Sequence, residues 1–409
     1  MPGYLGRTVE PFLAQLLAEL PAVSIFGPRA AGKTTTASRL ANSVVRLDEP
    51  GQAAIFDADP DAALRGFAEP VLLDEWQAVP QVLGAVKRAV DDDARPGRFI
   101  LTGSVRAELT AEAWPGTGRV VMVPMFGLTV REQVGRVDGA PLFDRVARGE
   151  ELTVSPDAPD LRGYVELALR SGFPEAIDLS DRTRERWLEA YVSQLLTRDV
   201  DQLEGGRDPA RLRRFLRAYA LNSSGVVEDK TLFEASEINR KTAAAYERLL
   251  ANLFVVEAVP AWTSNRLKRL VLQPKRYLVD AGLIAGTLRV DDDAVMRDGD
   301  LLGRLIDTFV TAQIRAELAV AETLPHLYHL RERQGRREID LIGELGGGRV
   351  VALEIKAHSA PGRDSARHLA WLRDQLGDRF VGGVVLHTGP RTFPLGERIV
   401  AAPICTLWA

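Results

Sequence analysis

Residues 23–35 read VSIFGPRAAGKTT, and no other stretch restricts the possible folds as much. An apolar strand from Val23 to Phe26 runs into a glycine-bounded loop and then into the opening turn of a helix. The pattern G-x-x-x-x-G-K-[ST] is met without a mismatch, in the strand–loop–helix context that it requires. Backbone N–H groups of such a loop, with a helix N-terminus behind them, cradle phosphate oxygens. Gly27, Pro28, Arg29, Ala30, Ala31, Gly32, Lys33, Thr34 and Thr35 are therefore the candidate residues for binding a nucleoside triphosphate, expected to be ATP. Lys33 is expected to reach the β- and γ-phosphates, and the Thr34 hydroxyl to help hold Mg²⁺.

The chain has 409 residues, too many for one ordinary core, so two or three domains are expected. An apolar fraction of 46% and a charged fraction of 26% are those of a globular protein. Cys405 is the single cysteine, which excludes an internal disulfide framework or a cysteine-based zinc site and suits a reducing interior. No apolar run approaches the roughly 20 residues that cross a bilayer. Glu10 and Glu19 flank short apolar stretches unlike a secretory leader, so a cytoplasmic location is expected. The net charge of −4 does not advertise a nucleic-acid partner, but its distribution is uneven. Residues 207–276 hold 14 Lys/Arg against 7 Asp/Glu, which leaves −11 for the rest of the chain.

Downstream of the loop, apolar strands at 44–48, 70–76, 98–104 and 119–124 alternate with helical or looped stretches. Continuous apolar strands separated by helices predict an α/β domain with a parallel sheet covered on both faces. Asp74 and Glu75 end one strand, where open α/β sheets meet their ligands. Asp74 is expected to organise Mg²⁺ with Thr34, and Glu75 to polarise the attacking water. Thr102 and Ser104 end the next strand, in position to sense a γ-phosphate. Arg106 and Arg119 are candidates for stabilising transition-state charge, in cis or from a neighbouring subunit.

These segments carry a specific resemblance. The motifs at 27–35, Leu72–Pro80, Leu101–Ser104 and Gly118–Arg119 resemble those of AAA-type ATPases (the AAA_14 class) with a C-terminal DUF4143 domain. Gly172–Pro174, Arg198–Asp199, Pro274–Asp280 and a C-terminal carboxylate motif extend the likeness over essentially the full length. The resemblance implies a P-loop ATPase core at 1–158, a helical lid at 159–205, a winged-helix domain at 206–296 and a small nuclease-like α/β domain at 297–409. It also implies a homo-oligomer, because AAA-type sites usually borrow an arginine from a neighbour.

The basic middle segment follows the winged-helix order on its own residues. Helical periods at 211–221, 230–235 and 240–253 precede two strands, expected at 254–259 and 269–272. In that arrangement the third helix enters the major groove. Asn239, Arg240, Lys241 and Thr242 would sit at its entry, with Arg266, Lys268 and Arg269 on or near the wing against phosphates.

Toward the C-terminus, a hairpin is expected from 338–343, a glycine turn at 346–348 and a strand at 350–356. Glu354 and Lys356 are two apart and share one strand face, which Asp340 meets from across the hairpin. Asp…Glu-x-Lys on paired strands resembles the restriction-endonuclease-like (PD-(D/E)xK-type) superfamily. Asp340 and Glu354 would gather a second Mg²⁺ while Lys356 positions the nucleophile. Asp307 on the preceding helix is a further candidate ligand, one methylene shorter than the glutamate that family members commonly place there.

Three functions follow as expectations. The first is ATP hydrolysis coupled to duplex or branched DNA. The second is a nucleotide-gated switch that binds a protein partner in a stress, toxin–antitoxin or defence setting. The third is metal-dependent DNA cleavage.

Overall fold

The computed structural model describes residues 3–105, 117–199, 208–264, 269, 272–332 and 336–409, the side chains of Arg198 and Asp199 excepted. Arg106, Arg266 and Lys268 lie outside the described residues. The chain divides into two compact units, Met1–Leu128 with Leu250–Val255, and Thr129–Leu249 with Val256–Ala409.

The first unit is built on five parallel strands: β1 (Ala22–Phe26), β2 (Ser43–Arg46), β3 (Val71–Asp74), β4 (Phe99–Gly103) and β5 (Val120–Pro124). Their order is β2-β3-β4-β1-β5. The central strands β3 and β4 are buried along their whole length, which explains their continuous apolar sequence. The flanking helices include α1 (Glu10–Glu19), α2 (Lys33–Ser38) and α3 (Val82–Asp92). Helix α3 turns Val82, Leu83, Val86 and Val90 inward onto a core with Leu73, Phe99 and Leu101. Its outer face carries the Lys87–Asp91 pair at 2.6 Å, one helical turn apart. All strands run the same way, so the loops after β1, β3 and β4 gather at one edge of the sheet.

The second unit begins at Thr129, which forms a capping box with Glu132. The ATPase core was expected to run on to residue 158, but 129–158 is tied into the second unit by buried polar contacts. The Leu142 N–H donates to Glu317 at 3.1 Å, and Arg131 is 3.1 Å from the same carboxylate. The Glu322 and Thr323 N–H groups donate to Asp144 at 2.8 and 2.9 Å. Charged residues that read as surface in the sequence thus hold this segment inside.

Helices α4 (Leu161–Arg170) and α5 (Asp181–Gln194) come next, followed by α6 (Pro209–Leu221), α7 (Asp229–Ala235) and α8 (Arg240–Asn252). Strands β6 (Val256–Val259) and β7 (Lys275–Leu278) then pair antiparallel. The partner of β6 is therefore not the expected 269–272 segment. Each of the four β7 residues is buried, and its two charged side chains have internal counter-ions, so a basic segment serves as an interior strand.

Helix α9 (Gly299–Glu317) leads into a six-stranded mixed sheet: β8 (His326–Arg331), β9 (Glu338–Glu344), β10 (Val350–Ile355), β11 (Phe380–His387), β12 (Phe393–Gly396) and β13 (Ile399–Pro403). Their order is β12-β13-β11-β10-β9-β8, with β10, β11 and β13 mutually parallel. Helix α10 (Arg367–Leu376) packs Leu369, Leu372 and Leu376 into the core with Ile339, Ala352 and Val385. Among the described residues no helix is long and apolar enough to cross a membrane.

Candidate functional site

The loop between β1 and α2 is shaped by two glycines. A Cβ on Gly27 would lie 2.0 Å from the Met125 carbonyl oxygen, so only glycine lets the chain pass there. Gly32 has φ +88° and stands at the N-terminus of α2, a left-handed conformation that an L side chain resists. Beyond the loop, the buried Lys33 ammonium donates to the Gly27 and Pro28 carbonyls at 3.0 and 2.7 Å. Burial pushes its pKa down to about 8, against the pull of the Glu75 and Asp74 charges. Among the described residues no carboxylate pairs with this ammonium, so two neutral carbonyls are its hydrogen-bond partners.

Thr34 donates its hydroxyl to Asp74 Oδ1 at 2.8 Å, and Thr102 donates to the same oxygen. Asp74, Thr34 and Thr102 therefore meet across the ends of β3, α2 and β4. Glu75 stands one residue beyond β3 at φ +52°, a left-handed backbone that a non-glycine residue adopts at a cost. Its Oε2 accepts from the Ser104 hydroxyl at 3.0 Å and from the Gln77 amide. Gly103 makes room for the turn, because a Cβ there would sit 2.6 Å from Trp76 Nε1.

Two features of this site escaped the sequence reading. Arg7, ahead of α1, is buried and donates to the Ala31 carbonyl at 2.8 Å and the Phe126 carbonyl at 2.6 Å. It pins the loop from behind, and nothing in its local sequence signals that. Gln77 lies inside the Leu72–Pro80 motif, but its bond to Glu75 needed the turn geometry to be seen. Arg119 is not brought to the loop. It precedes β5 at the opposite edge of the sheet, where it makes an exposed pair with Asp91 at 2.8 Å.

In the second unit, Asn239 caps α8 by accepting from the Thr242 N–H at 2.9 Å. Arg240 and Lys241 are exposed on the first turn and have no ion-pair partner among the described residues. Arg269 is committed internally. It pairs with Glu344, with one contact of 3.3 Å, and its guanidinium lies over the rings of Trp262 and Tyr328 at 5.3 and 4.8 Å. Of the 14 basic residues in 207–276, Lys275 and Arg276 are also buried.

Asp340, Glu354 and Lys356 meet at the ends of β9 and β10. The Asp340 Oδ2 accepts from the Ile355 N–H at 2.8 Å, and Lys356 donates to Glu354 Oε1 at 2.6 Å. Glu354 Oε2 is buried and has no hydrogen-bond partner among the described residues. Burial pushes the Glu354 pKa up to about 8, helped by the neighbouring Asp340 charge. A further residue, not foreseen as part of this site, stands among them. Lys275 Nζ lies 2.6 Å from Asp307 Oδ2 and 2.9 Å from Asp340 Oδ1. Burial opposes its charge, but the two aspartates outweigh that and hold its pKa well above the ordinary lysine value. Among the described residues, no group of three or more His, Cys, Asp or Glu is disposed to hold a metal ion.

Residues 172–174 and 280, which the resemblance also marked, have a structural role. Asp280 is buried and accepts from the Gly172 and Gly282 N–H groups, each at 2.8 Å.

Three family matches cover most of the chain: an AAA domain at 19–134, a domain of unknown function (DUF8612) at 161–294 and a domain of unknown function (DUF4143) at 302–407. The Walker-type ATPase PABY2304 of Pyrococcus abyssi aligns with 70% of this chain and 96% of its own, at 14% identity and a TM-score of 0.44. The uncharacterized proteins Rv2008c of Mycobacterium tuberculosis and Mb2031c of Mycobacterium bovis are each 30% identical over 404 residues, 97% of this chain and 83% of theirs. The chain belongs to the family of these mycobacterial proteins, and in it an AAA-type nucleotide domain is followed by DUF8612 and DUF4143 domains.

Proposed function

We propose that this protein hydrolyses ATP with Mg²⁺ in the cytoplasm and couples that reaction to duplex or branched DNA. The observation that carries the reading is the convergence of Lys33, Thr34, Asp74, Thr102 and Glu75 at one edge of a parallel sheet. A buried ammonium whose partners among the described residues are two carbonyls fits a phosphate, and a hydroxyl–carboxylate pair beside it fits a hydrated divalent ion. Mg²⁺ supplies neutralisation of charge on the β- and γ-phosphates. Residues 27–35 hold the phosphates through backbone N–H groups and Lys33, while Thr34 and Asp74 hold the ion. Glu75 orients the attacking water and accepts its proton as the water oxygen bonds to the γ-phosphorus and the bond from that phosphorus to the β,γ-bridging oxygen breaks, releasing ADP and phosphate. Thr102, anchored on Asp74, links the end of β4 to the same centre. Arg119, at the far edge, serves the site of a second copy, so the active form is a homo-oligomer.

The DNA half rests on Arg240 and Lys241 in the first turn of α8, exposed cations with no ion-pair partner among the described residues, with Asn239 and Thr242 beside them. Arg266 and Lys268 remain in the proposed contact set; Arg269 does not, because Glu344 holds it. Fluorescence polarisation with duplex, forked and four-way DNA, alongside DNA-stimulated ATP turnover, tests the reading. Absence of binding at low salt together with unchanged turnover would sink it. Converting both Arg240 and Lys241 to glutamate should weaken DNA binding and flatten its salt dependence.

A second reading, a slow nucleotide-gated switch for a protein partner, is favoured by one observation. The Glu75 carboxylate is engaged by Ser104 and Gln77, a geometry suited to holding the base back until something releases it. That reading expects ATP-dependent assembly and no DNA stimulation.

A further inference from the structure

The cluster where β7, α9, β9 and β10 converge holds three carboxylates, Asp307, Asp340 and Glu354, and two lysines, Lys275 and Lys356. In a divalent-metal site the cation takes oxygen ligands at roughly 2.0–2.6 Å and draws on carboxylate oxygens left open toward it. Here every oxygen of both aspartates already accepts a hydrogen bond. Asp307 Oδ1 accepts from the Tyr277 hydroxyl at 3.1 Å and the Thr311 hydroxyl at 3.2 Å. Its Oδ2 accepts from Lys275 at 2.6 Å. Asp340 Oδ2 is taken by the Ile355 N–H and Oδ1 by Lys275 at 2.9 Å. The Lys275 ammonium thus lies between the two carboxylates, in the space that a bridging metal ion would need. The residues present do not fit a divalent ion as they stand.

We infer that Lys275 is a resident cation that replaces a divalent metal in this carboxylate cluster, leaving the C-terminal sheet a nuclease-like surface that does not take up metal there. Three further features support the inference. The Lys275 side chain is 2% exposed, so it cannot swing to solvent without opening the strand that carries it. Tyr277, two residues on and on the same face of β7, bonds the same Asp307, so the strand is built around the pairing. Glu354, the remaining acid, is paired at Oε1 with Lys356 at 2.6 Å, so a second lysine supplies the counter-charge of the third carboxylate.

The test is a count of bound Mn²⁺ on the full chain by electron paramagnetic resonance, in an Asp74→Asn background that silences the nucleotide-site cation. With Lys275 intact, the count should be the same with and without Asp340→Asn. Lys275→Met should add one Mn²⁺ per chain, and Asp340→Asn should remove it again. A Mn²⁺ bound with Lys275 intact and lost in Asp340→Asn or Glu354→Gln would overturn the inference. So would a Lys275→Met chain that keeps its circular dichroism spectrum and gains no ion. Should Lys275→Met fail to fold, the comparison with and without Asp340→Asn decides the matter alone, and neither outcome touches the ATPase reading.

Discussion

Lys33 offers the most direct test of the nucleotide site, through protons rather than phosphate release. Its pKa of about 8 in the fold, against 10.5 for a solvated lysine, means that burying this charge costs about 3 kcal/mol. The sign follows from the direction of the shift. Below pH 8 the ammonium is charged in both folded and unfolded chains, and the fold carries the whole penalty. As the pH rises from 8 toward 10.5 the folded chain sheds the proton first, and the penalty is relieved. A triphosphate against Nζ supplies the missing counter-charge and returns the pKa to its ordinary value or above. ATP binding should therefore take up about 0.1 proton at pH 7, about 0.5 at pH 8 and about 0.9 at pH 9. Titration calorimetry in buffers of different ionisation enthalpy reads that number directly. Lys33→Met should abolish the uptake along with most of the binding, and should stabilise the nucleotide-free chain by up to about 3 kcal/mol at pH 7. Tight ATP binding with no proton uptake between pH 7.5 and 9 would refute the argument.

Three other outcomes are expected. Glu75→Gln should keep ATP affinity while single-turnover hydrolysis falls by about 10²–10⁴-fold; unchanged hydrolysis would remove Glu75 from the chemistry. Arg7→Ala deletes the bonds to the Ala31 and Phe126 carbonyls and should cost about 1–3 kcal/mol, read as a roughly 5- to 150-fold loss of ATP affinity with turnover at saturation retained. Arg276→Met removes a buried guanidinium bonded to Glu247 at 2.8 Å, to Asp229 and to the Val227 carbonyl at 2.9 Å. Its two acidic partners are part exposed and regain water, so a loss of about 3 kcal/mol is expected at the lower end for a broken buried pair. A denaturation midpoint unmoved by Arg276→Met would show that the guanidinium holds nothing.

The nucleotide half was legible because its constraints are local. A glycine that must pass under Met125, a lysine one residue after a left-handed glycine, and an acidic pair at a strand end all leave their mark within a dozen residues. The parallel sheet was legible for a related reason, since strands buried on both faces read as unbroken apolar runs. The helices at 209–221, 229–235 and 240–252 were readable from their apolar period. What failed to show was the pairing of buried cations with acids distant in the chain. Lys275 meets Asp307 and Asp340, Arg269 meets Glu344, and Arg131 meets Glu317. Periodicity assigns such residues to solvent, and only the tertiary fold reveals their counter-ions. That is why the strand at 275–278 was missed, and why a basic stretch looked more available to DNA than it is.

Lys33 and Lys275 put the distinction between a binding site and a structural core in one comparison. Both ammonium groups are buried, with side chains excluded from water almost completely. Burying an isolated charge is costly enough that a fold either neutralises it, pairs it, or leaves the pairing to a ligand. Lys275 takes the second course, with two carboxylates inside 3 Å and a pKa raised above its ordinary value. Lys33 has two carbonyl oxygens and a lowered pKa, so its electrostatic demand is met only in part. The same residue type therefore marks an anion site in one unit and excludes a cation site in the other. The discriminating quantity is the charge the chain itself supplies within hydrogen-bond distance. By that criterion the loop at 27–35 awaits an anion, and the Asp307–Asp340 pair awaits nothing.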